Sequence, residues 1–298
     1  MCHYKKYFQL LTTAILLVSL TFTHSKTFAQ TTASITLPLP AHNTPDHPNH
    51  YYEAALKLAL AKTESTDGKL EIKYYGFNTE PERQRAILKT NGGLDLIWGS
   101  SSTLREDQML AIKFNLLREL SDYRLLLIRK EDKAKFATVK RLSDLRKFKA
   151  GTIAGWQETR VFQLNNIPSV TSWAYEPLFK MLVDKRFDYI LRGAHEIWGE
   201  LEQHKDMPIM AEEKLLIGYE LPVYFFVNAK NEKLAKRIKK GLDLAEKDGS
   251  LKTLFMSLPA FKKGYEEVKK KNRVLIHLND DDSFGLNPTE PPTLLANF

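Results

Sequence analysis

The sequence predicts an α/β fold built on mostly parallel sheet. Short apolar segments at strand spacing alternate with amphipathic segments of roughly ten to sixteen residues, which is the pattern of βα units. No repeat at a fixed period is present. The 298 residues are 43% hydrophobic and 27% charged, an ordinary globular composition that excludes disordered, collagen-like and low-complexity chains.

The elements follow in order. Ser34–Leu39 (SITLPL) reads as a strand and runs into a loop of prolines and asparagines, 40–49. Tyr52, Ala55, Leu56, Ala59 and Leu60 recur at helical spacing within 51–64. Leu70–Tyr75 alternates like a strand. Thr79–Lys89 reads as a helix with Thr79 as N-cap, Pro81 in the first turn and Glu82 three residues after the cap. Leu94–Trp98 (LDLIW) reads as a buried strand ending in a small-residue turn, Gly99–Thr103.

Further strands are expected at Arg124–Lys130, Lys149–Ala154, Ser169–Trp173, Tyr189–Leu191 and Val223–Ala229. Helices are expected at Gln157–Asn165, Glu176–Arg186, His195–His204 and Asn231–Asp248, with one more through Leu251–Lys263. The tail from Leu278 to Phe298 reads as irregular. The lysines of 262–273 read as a helix surface and a candidate docking face for a membrane partner, and Asp280–Asp282 as a solvated run.

Residues 1–29 read as a secretory signal. Lys5 and Lys6 precede an apolar stretch from Leu10 to Phe22, and Thr27-Phe28-Ala29 places small residues at −3 and −1 of a cut after Ala29. The apolar stretch is shorter than the ~20 residues that span a bilayer. The expected location is therefore the periplasm. Removing the segment takes Lys5, Lys6, Lys26 and the single cysteine, Cys2, so the formal charge falls from +8 to +5. A cysteine-free exported chain is held by its core and not by disulfides. The mild positive charge suits anionic ligands or surfaces and does not argue for nucleic acid.

Several stretches, in order, resemble the type 2 periplasmic solute-binding proteins, in particular the amino-acid-binding family of ABC importers. Asp95–Trp98 followed by SSSTLRE resembles that family's strand, Ser/Thr turn and carboxylate-gripping arginine, here Arg105. LLLIRKED (125–132) resembles its crossing strand, and Leu142-Ser143-Asp144-Leu145 its "L-x-D-L". KAGTIAGWQET (149–159) resembles its cleft-facing strand, glycine and helix start. LVDKRFDYIL (182–191) resembles its "L-x-x-G-R-x-D-A" unit, and LAKRIKKGLDLAEKDG (234–249) its penultimate helix. The resemblance covers about 35–260. It implies two hinged lobes, 30–126 plus 222–298 and 127–221, joined by two crossover strands around a ligand cleft, in a monomer.

Two departures stand out. Where the family has an aspartate for the ligand ammonium, this chain has Gly193 beside Arg192; where it has a "G-T-T" turn, this chain has Gly155–Thr159 (GWQET). A zwitterionic α-amino acid is accordingly disfavoured.

The candidate ligand-binding residues are Ser100, Ser101, Ser102, Thr103, Arg105, Trp156, Thr159, Arg192 and Glu196. Arg105 offers a planar fork for a carboxylate or phosphate, and the hydroxyls stand at a strand C-terminus, where α/β sheets take ligands. A capped surface turn with a solvent-facing arginine uses the same residues. Trp156 is placed to stack on a ring or to pack at the hinge. Arg192 is a second anion contact or a surface arginine, and Glu196 pairs with it or receives a cationic group. Trp98, before the Ser turn, faces the core or the cleft; Trp173 and Trp198 read as packing. His42, Asp46, His47 and His50 crowd one loop in which two prolines interrupt any helical metal spacing, and no metal or cofactor is assigned.

No nucleophile elbow, P-loop, HExxH or dinucleotide fingerprint is present, and the chain is read as a binding protein. The expected ligand is a small carboxylate or other polar solute. The expected partner is a membrane permease, with a membrane sensor or an enzyme on this scaffold as alternatives.

Overall fold

The computed structural model describes residues 33–39 and 48–280. The expected signal segment, His42, Asp46, His47, Asp281 and Asp282 lie outside the described residues; His50 sits in the first turn of the first long helix.

Twelve strands lie among the described residues. They are β1 (Ser34–Leu37), β2 (Glu71–Tyr74), β3 (Leu96–Ser100), β4 (Leu110–Ile112), β5 (Tyr123–Arg129), β6 (Ala150–Ile153), β7 (Ser169–Ser172), β8 (Tyr189–Gly193), β9 (Ile209–Ala211), β10 (Leu215–Gly218), β11 (Val223–Val227) and β12 (Val274–His277). The helices are α1 (Pro48–Asp67), α2 (Pro81–Lys89), α3 (Thr103–Glu106), α4 (Lys133–Phe136), α5 (Leu142–Leu145), α6 (Gln157–Leu164), α7 (Tyr175–Val183), α8 (Ile197–Gln203), α9 (Glu232–Lys247), α10 (Ser250–Ser257) and α11 (Pro259–Val268).

The strands form a seven-stranded sheet, β12-β10-β5-β8-β6-β7 with β9 also on β5, a three-stranded sheet, β3-β11-β4, and the pair β1-β2. The sheets are mixed and not mostly parallel. The βα units β6, β7 and β8 pair in parallel, whereas every antiparallel pair involves β5 or β11. These two strands enter their sheets from the connecting segments 113–122 and 219–222, not from a helical crossover, which is why the parallel rule fails there. β12 pairs with β10 in the larger sheet, so not all of 222–298 keeps company with the first-lobe elements as expected.

Local chemistry explains the other differences. Glu80, not Thr79, is the N-cap of α2, because Pro81 takes the first helical position its fixed φ favours. β3 begins at Leu96 and runs on through Gly99 and Ser100, which pair with Tyr224 and Val223 of β11. The expected helix through Leu251–Lys263 is two helices, interrupted at Pro259, which opens α11. The short strands β4, β9, β10 and β12 were not expected. Arg273, placed on a surface by the basic run, turns inward: it donates to the carbonyls of Glu212 and Leu215 at 2.8 and 2.9 Å and pairs with Glu267 at 2.8 Å.

The apolar stripe of α1 is fully buried at Ala55, Leu56 and Ala59 and packs on α9, whose Ile238, Leu242 and Ala245 are buried in turn. Each large apolar side chain taken from water stabilises the fold by about 1.5–3 kcal/mol. The helices touch backbone to backbone at Gly241, where a Cβ would lie 2.1 Å from the Ala59 carbonyl oxygen. The strand β5 is buried along its whole length and carries an arginine near each end, Arg124 and Arg129, both buried.

Candidate functional site

Because β8, β6 and β7 are parallel neighbours, their C-terminal ends open on one edge of the sheet. β5 runs antiparallel to β8, with Arg124 opposite Gly193, so its N-terminal end lies at the same edge. So does Tyr219, just past β10. This edge gathers Trp156, Glu158 and Thr159 after β6, Tyr175 after β7, and Arg192, His195 and Glu196 at and after β8.

Arg192 is buried, and its charge is answered twice. Nε donates to both Glu200 carboxylate oxygens at 2.7 and 2.8 Å, and the guanidinium pairs with Glu200 at 2.5 Å and Glu196 at 3.2 Å. Its carbon lies 4.5 Å from the Trp156 ring centre and 5.8 Å from that of Tyr175, close enough for cation–π attraction. The Tyr175 hydroxyl donates to Glu200 at 2.6 Å. Burial works against the Arg192 charge, but Glu196 and Glu200 more than offset it and hold the guanidinium firmly protonated.

Glu196 is the N-cap of α8 and its side chain stays one-third exposed. Oε2 accepts from the Gly193 N–H at 3.0 Å. Oε1 has the His195 Nε2 at 4.0 Å, beyond hydrogen-bond range. Burial pushes the Glu196 carboxyl up; the nearby charge of Arg192, with that of Arg124 and the Gly193 N–H, outweighs it and holds the group below the ordinary carboxylate range. Gly193 makes this possible: a Cβ there would lie 2.7 Å from Glu196 Oε2 and from the His195 ring. His195 is buried, which pushes its imidazole down to about 4 and leaves it neutral at pH 7. Its Nδ1 has no hydrogen-bond partner among the described residues.

Beside this group stands a second one. Arg124 Nε donates to the Tyr219 hydroxyl at 3.0 Å and lies 3.3 Å from Glu158 Oε1. The Tyr219 hydroxyl donates to the same Glu158 oxygen at 2.7 Å. Arg124 also donates to the Ser121 carbonyl. Asp122, buried below, accepts from the Leu221 N–H at 2.8 Å, and burial raises its carboxyl to about 7.

Tyr52 of α1 is buried 5.9 Å from Trp98, centre to centre. Burial raises its phenol, and the charge of Glu196 raises it further, so the two groups stand within electrostatic reach. Glu82 of α2 approaches the β6 loop: a Cβ on Gly155, whose φ is +85°, would be 3.9 Å from its carboxylate.

The Ser/Thr turn is arranged differently. Arg105 folds back, donating to the carbonyl and hydroxyl oxygens of Ser100 at 2.6 Å each. Ser101 is buried and donates to Glu106 at 2.7 Å. The Ser102 carbonyl and hydroxyl accept from the Arg105 N–H at 3.0 and 3.4 Å, so it serves as a cap, and Thr103 opens α3. Thr159 meets the Thr152 hydroxyl at 3.1 Å and donates to the Ile153 carbonyl at 3.2 Å.

The structure thus brings Trp156, Arg192 and Glu196 together, and turns Thr159 and the Ser100–Arg105 turn onto local partners. It adds Arg124, Glu158, Tyr175, Glu200, Tyr219 and Tyr52. Signals for some were in the sequence: Arg124 stands just ahead of the apolar run Leu125–Ile128, and Glu196 and Glu200 share a face at i, i+4. Trp173, expected to pack, is 89% exposed at the turn into α7. Trp198 is half-buried under the Lys263 ammonium, 3.9 Å from a ring centre.

No family model and no curated protein matches the chain. Solved structures do. An ancestral arginine-binding protein bound to glutamine is 14% identical, covering 76% of this chain and 98% of its own, with a TM-score of 0.58. A periplasmic binding protein of Salmonella typhimurium with high arginine specificity is 14% identical over 76% and 98%, at 0.55. A histidine kinase sensor domain similar to periplasmic binding proteins is 14% identical over 76% and 96%, at 0.55. With this likeness, the mixed sheets and the order of the elements, the chain has the two-lobed fold of the type 2 periplasmic solute-binding proteins.

Proposed function

We propose that this protein is an exported receptor that captures a small polar solute and delivers it to an ABC-type membrane permease. In this reading the unit around the three-stranded sheet and the unit around the seven-stranded sheet are the two lobes. The segments 113–122 and 219–222 are the hinge, and closure traps the solute against the C-terminal edge of β6, β7 and β8. The signal-like N-terminus supports a periplasmic site of action, and the protein acts as a monomer by binding and not by turnover.

The observation that carries the reading is the Trp156–Arg192–Glu196 constellation at the strand C-termini, where open α/β sheets take ligands. In this reading Ser100–Arg105 supplies the second set of contacts from the other lobe. The likeness to a kinase sensor domain favours one alternative outlet, presentation of the bound solute to a membrane sensor.

The test is a thermal-shift screen of the purified protein against amino acids, amines, carboxylates, sugars and nucleosides, since a ligand of the folded state raises its melting temperature. The expected result is a shift by one chemical class that is lost in Trp156→Ala. No shift by any class overturns the receptor reading.

A further inference from the structure

The receptor reading joins its two lobes through the segments 113–122 and 219–222. We propose that α11 is a third tie between them and the latch of the cleft. It travels with the seven-stranded unit, holds the cleft shut through Phe261, and parts from α1 and α10 when the cleft opens. The proposal rests on the receptor reading for its two lobes.

After β11 the chain first stays with the three-stranded unit. There α9 packs on α1, β4 and β11, and α10 packs on α9 and α1. The chain then crosses, because β12 joins β10 at the edge of the seven-stranded sheet. The crossing element is α11, between α10 and β12. Its ten residues make about 15 Å of stiff helix. A rotation about 113–122 and 219–222 therefore has to be taken up at one end of α11 or the other.

The two ends are held differently. Toward the seven-stranded unit the hold is close and polar. A Cβ on Gly264 would lie 2.3 Å from the Ala194 carbonyl oxygen, so α11 meets the corner after β8 backbone to backbone. Arg273, past the last turn, ties Glu267 of α11 to the Glu212 and Leu215 carbonyls. Beyond β12 the Asn165 side chain donates to the Asn279 carbonyl at 2.8 Å and accepts from its N–H at 2.9 Å.

Toward the three-stranded unit the hold is apolar. The Phe261 ring is fully buried, 4.9 Å from that of Tyr51 and 5.1 Å from that of Phe255. Rings can separate without stranding a hydrogen-bond donor or acceptor, whereas the polar end cannot. The pivot is at hand: α10 ends at Leu258, whose backbone is extended, and Pro259 opens α11, so the chain can bend there with both helices intact. The His195 ring lies 5.4 Å from Phe261, one residue from Glu196, which sets the latch against the corner of the candidate site.

Pulsed EPR distances test the latch without a ligand. Spin labels are carried by Ala86→Cys on α2 and Glu176→Cys on α7, both exposed positions, with the single native cysteine removed as Cys2→Ser. The expected result is one narrow distance in this labelled protein. Phe261→Ala adds a second population, longer by more than about 2 Å, as for a domain rearrangement. Phe261→Leu gives a smaller share of the longer distance and serves where the alanine variant fails to fold. Phe136→Ala, which removes a buried ring within the seven-stranded unit, keeps the single distance. An unchanged distribution in a folded Phe261 variant overturns the latch. So does the same second distance in Phe136→Ala, which would mean that any loss of core loosens the lobes. Either result leaves the receptor reading to its thermal-shift screen, and a failed screen leaves these distances unaffected.

Discussion

The Ser100–Arg105 turn and the Arg192 edge stand at equivalent places, each past the C-terminal end of a strand, yet they meet the demands of their polar groups in different ways. The side-chain bonds of the turn given above are short-range, while its Ser101 N–H donates to the Pro222 carbonyl at 2.7 Å. Arg105 bonds to Ser100, Ser101 to Glu106, and Ser102 to the Arg105 N–H, all within six residues. The edge is long-range. Arg124 meets Glu158 and Tyr219 across 34 and 95 residues, and Tyr175 meets Glu200 across 25. A local arrangement survives motion of its surroundings; a long-range one reports whether the whole sheet is in register. The turn is therefore suited to moving as a unit with its lobe, and the edge to holding a fixed electrostatic pattern.

Four substitutions or conditions sharpen the contrast. Glu200→Ala has the largest expected effect. It leaves Arg192 buried with only the one-third-exposed Glu196, and loss of one partner of a buried pair costs about 3–5 kcal/mol, read as a fall in the denaturant midpoint at unchanged slope. Equal stability of wild type and variant would mean that the edge is not desolvated in solution.

The next effect is pH-dependent. The His195 imidazole is held at about 4 in the folded protein against about 6.5 in the unfolded chain. Between those values the unfolded state binds more protons, so the stability from a neutral His195 is complete above pH 6.5 and is lost as pH falls to 4. The loss is on the order of 3 kcal/mol. Asp122, raised to about 7, acts in the opposite direction, with stability falling as pH rises from about 4 to 7. The difference between wild type and His195→Gln across pH 4–7 isolates the histidine, and parallel curves would remove it from the edge.

In the turn the effects are smaller. Ser101→Ala removes a buried donor to Glu106 and costs about 1 kcal/mol in the same denaturant assay. Arg105→Ala is expected to change stability by less than about 1 kcal/mol, because its bonds are local and partly solvated. A loss as large as that of Glu200→Ala would erase the distinction between the two regions.

The same distinction governs what could be read from sequence. Helices such as α9 announce themselves through a 3.6-residue apolar period and an Asn231 cap, and βα units through alternation. The strands that escaped notice, β4, β9, β10 and β12, have three or four residues each and take their pairing from distant partners, which no local pattern encodes. Arg192 and Glu196 were legible as neighbours in the chain. Glu200 and Arg124 carried a local signal, an i, i+4 spacing and a charge at the start of a strand, but their role depends on where β5 and α8 lie. Arg105 drew attention by its motif, although its nearest partners prove to be within its own turn.

The place of β11 has a consequence for how the chain comes to be folded. β3 and β4 share no pairing with each other; both are joined only through β11, which is synthesised more than a hundred residues after β4. The strand β12, the last described element, adds to β10 later still. A growing chain that stops before Val223 has no centre for its smaller sheet, however complete β5 to β10 are. Such long-range closure is slow, and it leaves the N-terminal third unable to lock early. In the export reading proposed above, a sheet that closes only when the C-terminal end arrives keeps the chain loose for its passage across the membrane.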